Sequence, residues 1–161
     1  MSTRAYFAER FAAEKPVFVR VIRAAPAEQL EYRPHPRCTS AAGIIGLLAS
    51  ELGDACELID RGEVEWKPGE SPGSLEEMAA AYERNAAELE KRLPALDDAA
   101  WEKPARFLVD GNVAWAAPLG EMLWGFLFDA IHHRGQLSAY LRPMGGKVPS
   151  IYGPSADDPG Q

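Results

Sequence analysis

The sequence predicts an all-α protein: a four-helix bundle with a long connection between its third and fourth helices. Three observations carry that expectation. Four segments repeat their apolar residues at helical spacing and are bounded by recognisable caps or breakers. No segment alternates apolar and polar residues convincingly enough to read as a strand. The chain has 161 residues, 47% of them apolar. Residues 1–161 are therefore read as one domain, able to bury a core without disulfide staples.

The first helix is expected from Thr3 to about Ala24, with Tyr6, Phe7, Phe11, Val17, Phe18, Val21 and Ile22 as its apolar residues and Pro16 as a possible kink. A Pro- and Arg-rich loop follows. Ser40 is a good N-cap for the second helix, which runs to about Arg61 and stops at Gly62. Its stripe is Ile44, Leu47, Leu48, Ala55, Leu58 and Ile59. Glu51 falls inside that stripe, where a lone carboxylate is costly and needs a proton, a cation or a metal. After a loop holding Trp66, Pro68 and Pro72, Ser74 to Glu77 form a capping box for the third helix. That helix ends near Arg92, before Pro94. Residues 95–117, with Trp101, Phe107, Val109 and Trp115, are too apolar for disorder and are expected as a packed irregular connection, with a turn at Asp110-Gly111-Asn112. Pro118 opens the fourth helix and Pro143 closes it. The tail has no helical period, although Ile151 and Tyr152 are apolar enough to pack back on the bundle.

Composition excludes several functions. The net charge of −7 and scattered basic residues argue against a nucleic-acid surface. Arg20, Arg23, Arg33 and Arg37 read as a solvated face. No apolar run is long enough for a membrane span, and the first residues, MSTRAYFAERF, do not resemble a signal peptide. Cys38, in a loop, and Cys56, in a helix core, show no disulfide or CxxC pattern, so a reducing cytoplasm is expected.

The chemistry concentrates in the fourth helix. Met122, Phe126, Asp129, His133, Gln136 and Tyr140 fall within about 80° of one another at about 100° per residue. A carboxylate and a histidine one turn apart on such a stripe can offer two ligands to one metal, or can form a buried hydrogen bond that only orders the core. His132 points about 100° away and reads as a surface residue. His35, between two prolines, reads as structural or as part of a pocket mouth. The tryptophans read as core and interface anchors, and Arg134 and Gln136 as ties between the helix and neighbouring loops. There is no glycine-rich phosphate loop and no nucleophile-elbow serine.

The segment from His132 through His133-Arg134-Gly135-Gln136-Leu137 to Arg142, followed by VPSIYGPSADD, resembles the DinB-like family. Tyr32-Arg33-Pro34-His35 and Asp60-Arg61-Gly62-Glu63-Val64-Glu65-Trp66 echo it, so the resemblance spans nearly the whole chain. It implies an up-down-down-up four-helix bundle, often dimeric, with one divalent metal held by three histidines. One of those lies on helix two and two lie four apart on helix four. Relatives include thiol-dependent S-transferases and maleylpyruvate isomerase. Carried over by position, His133 matches the last family histidine. Asp129 stands where the other helix-four histidine is expected, and the helix-two histidine falls near Ser50, beside Glu51 and with Asp54 next. The chain keeps one of the three ligands. An altered metal set of Glu51, Asp129 and His133 is the expectation, suited to Zn, Ni, Mn or Fe.

Two functions stay open: a metal-dependent transferase or hydrolase of a small molecule, and a non-catalytic stress-response or binding protein with a degenerate, metal-free site. No catalytic residue is assigned. A homodimer is expected from the four tryptophans, the apolar residues on several helix faces and the resemblance.

Overall fold

In the computed structural model, which describes residues 2–67 and 73–160, the long helices are α1 (Thr3–Arg23), α2 (Ala41–Arg61), α3 (Leu75–Arg92) and α5 (Leu119–Leu141). A one-turn helix α4 (Asp98–Trp101) and three strands, β1 (Glu63–Glu65), β2 (Pro104–Val109) and β3 (Asn112–Pro118), complete the fold. Pro68 and Pro72 of the loop before α3 lie outside the described residues.

Local chemistry sets the helix ends. The Ser40 hydroxyl accepts from the Gly43 amide, and α2 closes on Gly62 at φ 74°, a left-handed conformation that glycine adopts without a Cβ clash. Ser74 and Glu77 form the reciprocal capping box of α3. α1 runs on through Pro16. Pro118 sits one residue earlier than expected, as the cap of α5 rather than its first residue.

Helices α1 and α2 each pack against α3 and α5, so the four surround one core. Phe18, Ile22, Ile44, Ile45, Leu48, Leu58, Met78, Leu89 and Met122 are almost completely buried there. Each such side chain contributes about 1.5–3 kcal/mol through removal from water. Cys56 is buried in α2, and Cys38 is half-buried in the loop before it.

The all-α expectation needs correction. Residues 104–118 form a β-hairpin rather than an irregular connection, and β1 adds to it in parallel to make a sheet of order β1-β2-β3. Asp110 and Gly111 both have positive φ, 51° and 73°, as a two-residue hairpin turn requires. The turn was visible in the sequence but the strands were not. A register shift between Phe107 and Leu108 breaks the period-two alternation that would have marked β2. The sheet lies over the seam between α2 and α5, where Phe107 and Trp115 both pack edge-on to Phe126 of α5. Gly125 makes this approach possible, because a Cβ there would lie 2.4 Å from the Trp115 ring.

The tail returns as well. Ile151 packs against the core, and the Tyr152 hydroxyl donates to Glu14 at 3.1 Å and accepts from Arg134 at 2.6 Å. Tyr6, one of the apolar residues of α1, is 48% exposed.

Candidate metal centre

Glu51 enters the α2–α5 seam from α2, one turn beyond Leu48, while Asp129 and His133 enter it from α5. Each offers a ligand atom, and these atoms all lie within 4.8 Å of one another. Ser50, where the helix-two ligand was expected by position, turns its hydroxyl back to the Leu47 carbonyl. The neighbouring Glu51 is the α2 residue that reaches the cluster.

The stripe read from α5 is shifted in the structure. Leu123, Leu127, Arg134, Leu137 and Leu141 take the most buried line, together with Met122 and Tyr140. Asp129 and His133 sit at its margin, with side chains 53% and 20% exposed. A margin position brings Asp129 to the wall of a solvent-connected cleft and keeps His133 half-buried beside it.

Two carboxylates and an imidazole converge here. Gln136 Oε1 lies 2.8 Å from His133 Nδ1 and accepts its proton. The other ring nitrogen, Nε2, then faces Asp129 Oδ2 at 3.2 Å. Without a proton or a cation between them, a lone pair opposes a carboxylate. Glu51 Oε2 is buried with no hydrogen-bond partner. Burial pushes the Glu51 carboxyl up to about 9, helped by the hydrogen bond its protonated form gives Asp129, then by the Asp129 charge and that of Asp54. Asp54 itself is raised to about 6, by burial and the charge of Glu57 against an opposing pull from Lys67. The cluster therefore takes up positive charge either as protons or as a metal ion.

This donor set fits a divalent cation. One imidazole nitrogen and two carboxylates are a common first-row combination that leaves positions open. Gln136 plays the orienting part that such histidines need, holding the tautomer that leaves Nε2 free. The sequence showed Gln136 but not this role, which its i+3 spacing from His133 could have signalled.

The cleft above the cluster is lined by Glu51, Asp54, Asp129, Trp66, Phe107, Trp115 and Phe126, with Leu47 and Gly125 between them, and encloses about 910 Å³ including its open mouth. Trp66 and Trp115 thus serve the cleft rather than acting only as packing anchors.

Other candidates lie elsewhere. Arg134 does not tie the helix to a loop beside the cluster; its guanidinium pairs with Glu14 of α1 in the core, over the Phe18 ring. Glu14, 2% exposed, was missed by sequence reading because its partner is 120 residues away. His132 is exposed, its ring edge-on to His133. His35 is exposed and accepts the Arg37 amide within its own turn.

The family model for the DinB family matches residues 1–160. The chain belongs to the DinB family. Its fold recurs in other solved structures. A DinB-like protein from Bacillus cereus superposes with a TM-score of 0.70 at 16% identity, covering 91% of this chain and 95% of that one. YfiT from Bacillus subtilis, described as a probable metal-dependent hydrolase with an unusual four-helix bundle topology, gives 0.70 at 12% identity, with 89% of each chain covered. A mycothiol-dependent maleylpyruvate isomerase gives 0.60 at 14% identity, covering 92% of this chain and 65% of that one. At these identities the likeness concerns the fold. No curated protein matches the sequence. Among the described residues, no helix is long and apolar enough to cross a membrane.

Proposed function

We propose that this DinB-family protein is a metal-dependent transferase or hydrolase of a small molecule, with Glu51, Asp129 and His133 as the metal ligands. The observation that carries this reading is the convergence of a buried, unpartnered carboxylate oxygen with a second carboxylate and an oriented imidazole. The family membership and the description of YfiT as a probable metal-dependent hydrolase support it.

A divalent ion held by Glu51, Asp129 and His133 would supply Lewis acidity and would acidify a bound water. The chain's own residues do the rest. Gln136 holds the imidazole in its ligating tautomer, and the aromatic walls exclude water from one side of the cleft. Glu51 gives up the proton that burial otherwise keeps on it. Metal binding is therefore expected to release protons and to strengthen as pH rises.

The test is protein purified without a histidine tag and assayed for metal. Thermal unfolding of wild type, Asp129→Asn and His133→Ala is then followed with chelator and with excess Mn, Ni or Zn. A rise in melting temperature in wild type, lost in both variants, is the expected result. Identical curves with and without metal in all three proteins would select a degenerate site, neutralised by protons alone.

We further propose a homodimer through the α1–α5 face. Trp124 packs against Tyr6 and Phe128, with ring centroids 5.7 and 5.5 Å apart. Phe128 is 62% exposed, and Tyr152 beside it 68%. Contiguous exposed aromatics of this kind are what a second copy would cover. Light scattering is expected to give a dimer mass for wild type and a monomer mass for Phe128→Asp. A concentration-independent monomer mass for wild type would refute the interface.

A further inference from the structure

We propose that the cleft beside the metal cluster binds an organic ammonium ion, of trimethylammonium or similar bulk, against Trp66 and Trp115 with Asp54 as counter-ion. This deepens the preceding reading by naming a substrate class for the same site, and it rests on that reading for the reaction but not for the binding.

The wall chemistry points to a cation. Phe107, Trp115 and Phe126 all line the cleft, and their rings stand steeply to one another: Phe126 meets Phe107 at 74° and Trp115 at 69°, with centroids 5.9 and 6.4 Å apart. Such surfaces attract alkylammonium groups through the negative charge of the ring faces. Trp66, on the loop after β1, completes the aromatic lining and is 41% exposed.

Charge points the same way. Glu51, Asp54 and Asp129 line the cleft, and none of its described lining residues is basic. Lys67, next to Trp66, acts on Asp54 only through its charge. If Glu51 and Asp129 hold a divalent ion, Asp54 remains: half-buried, in no ion pair among the described residues, and facing the aromatic walls across the cleft. An anionic ligand would meet this carboxylate with only the charge of Lys67 to offset it. A neutral ligand would leave it unsatisfied. An alkylammonium neutralises it while its methyl groups cover the rings.

The experiment titrates the full chain with choline, with its uncharged carbon isostere neohexyl alcohol and with the carboxylate tert-butylacetate. Tryptophan fluorescence is read in chelator and in excess metal. Choline is expected to bind about tenfold more tightly than neohexyl alcohol, and tert-butylacetate not to bind. Trp66→Leu and Asp54→Asn are each expected to weaken choline at least about threefold, and Trp66→Leu to leave the metal-induced rise in melting temperature unchanged. Trp66 is exposed enough for its replacement to spare the fold. Equal binding of choline and neohexyl alcohol overturns the proposal, as does choline binding indifferent to both variants. Choline selectivity without any response to metal would sustain this inference and sink the metal reading. A metal response without choline selectivity would do the reverse.

Discussion

Glu51→Gln is expected to stabilise the metal-free protein at pH 8 and to abolish its response to metal. The two effects have opposite signs and one cause. In the folded chain the Glu51 carboxyl is raised from about 4.5 to about 9, so it keeps its proton where the unfolded chain has lost it. Between those values the folded state binds more protons than the unfolded state, and stability falls as pH rises. The favourable contribution is complete below about 4.5 and is lost on the way up to about 9. Each pH unit inside that window costs up to about 1.4 kcal/mol, so by pH 8 the metal-free wild type has lost a few kcal/mol. Glutamine keeps the shape and carries no charge to bury, so this slope disappears. A weaker slope below about pH 6 persists, because Asp54 is raised in the same direction. In wild type a metal ion replaces the proton and restores stability at high pH, by about 2.7 kcal/mol at a hundredfold excess over Kd. The variant lacks that ligand. Urea unfolding from pH 5 to 8, with chelator and with Mn or Zn, checks both halves. A flat metal-free profile in wild type would sink the first half, and an undiminished metal response in Glu51→Gln the second.

Arg134→Ala is expected to cost about 3–5 kcal/mol, the usual penalty for removing one partner of a buried ion pair. The guanidinium is 1% exposed and Glu14 2%. Arg134 donates to Glu14 and to the Tyr152 hydroxyl and stacks over Phe18, so its loss leaves a carboxylate stranded in the core. Arg10, 3.4 Å from the other Glu14 oxygen and 40% exposed, offers only partial compensation. Replacing both partners, Glu14→Leu with Arg134→Met, is expected to recover most of the loss, because no charge then remains buried. Tyr152→Phe removes one hydroxyl and is expected to cost about 1 kcal/mol. Denaturant midpoints measure all three. A double variant no more stable than Arg134→Ala would mean that the pair holds the bundle in register rather than merely satisfying its own burial. The metal response of the double variant is expected to match wild type, since Arg134 faces α1 while His133 faces the α2 seam.

The family signature in α5 therefore divides between two jobs. His133 and Gln136 serve the cluster, and Arg134 between them serves the core. The helical wheel could not separate these roles. It measured angles about the α5 axis correctly but had no information on which neighbours surround that axis. The stripe centred on Asp129 and His133 lies at the margin of the bundle, and the most buried line runs through Leu127, Arg134 and Leu141.

What the sequence determined by itself was local. The Ser40 cap, the glycine stop at Gly62, the Ser74–Glu77 capping box and the Asp110-Gly111 turn depend on residues within a few positions of one another, so their chemistry can be read in a short window. The misplaced acid at Glu51 was legible for the same reason, as a charge inside an apolar period. Tertiary structure alone decided the rest. The parallel pairing of β1 with β2 joins residues 43 apart, as in Glu63 with Arg106, and a bulge erased the alternation that marks a strand. The core pair of Glu14 and Arg134 spans 120 residues. Trp66, Phe107 and Trp115 became cleft walls only because the sheet lies over the α2–α5 seam. Such contacts are set by how several elements pack at once, and no local window of sequence contains them.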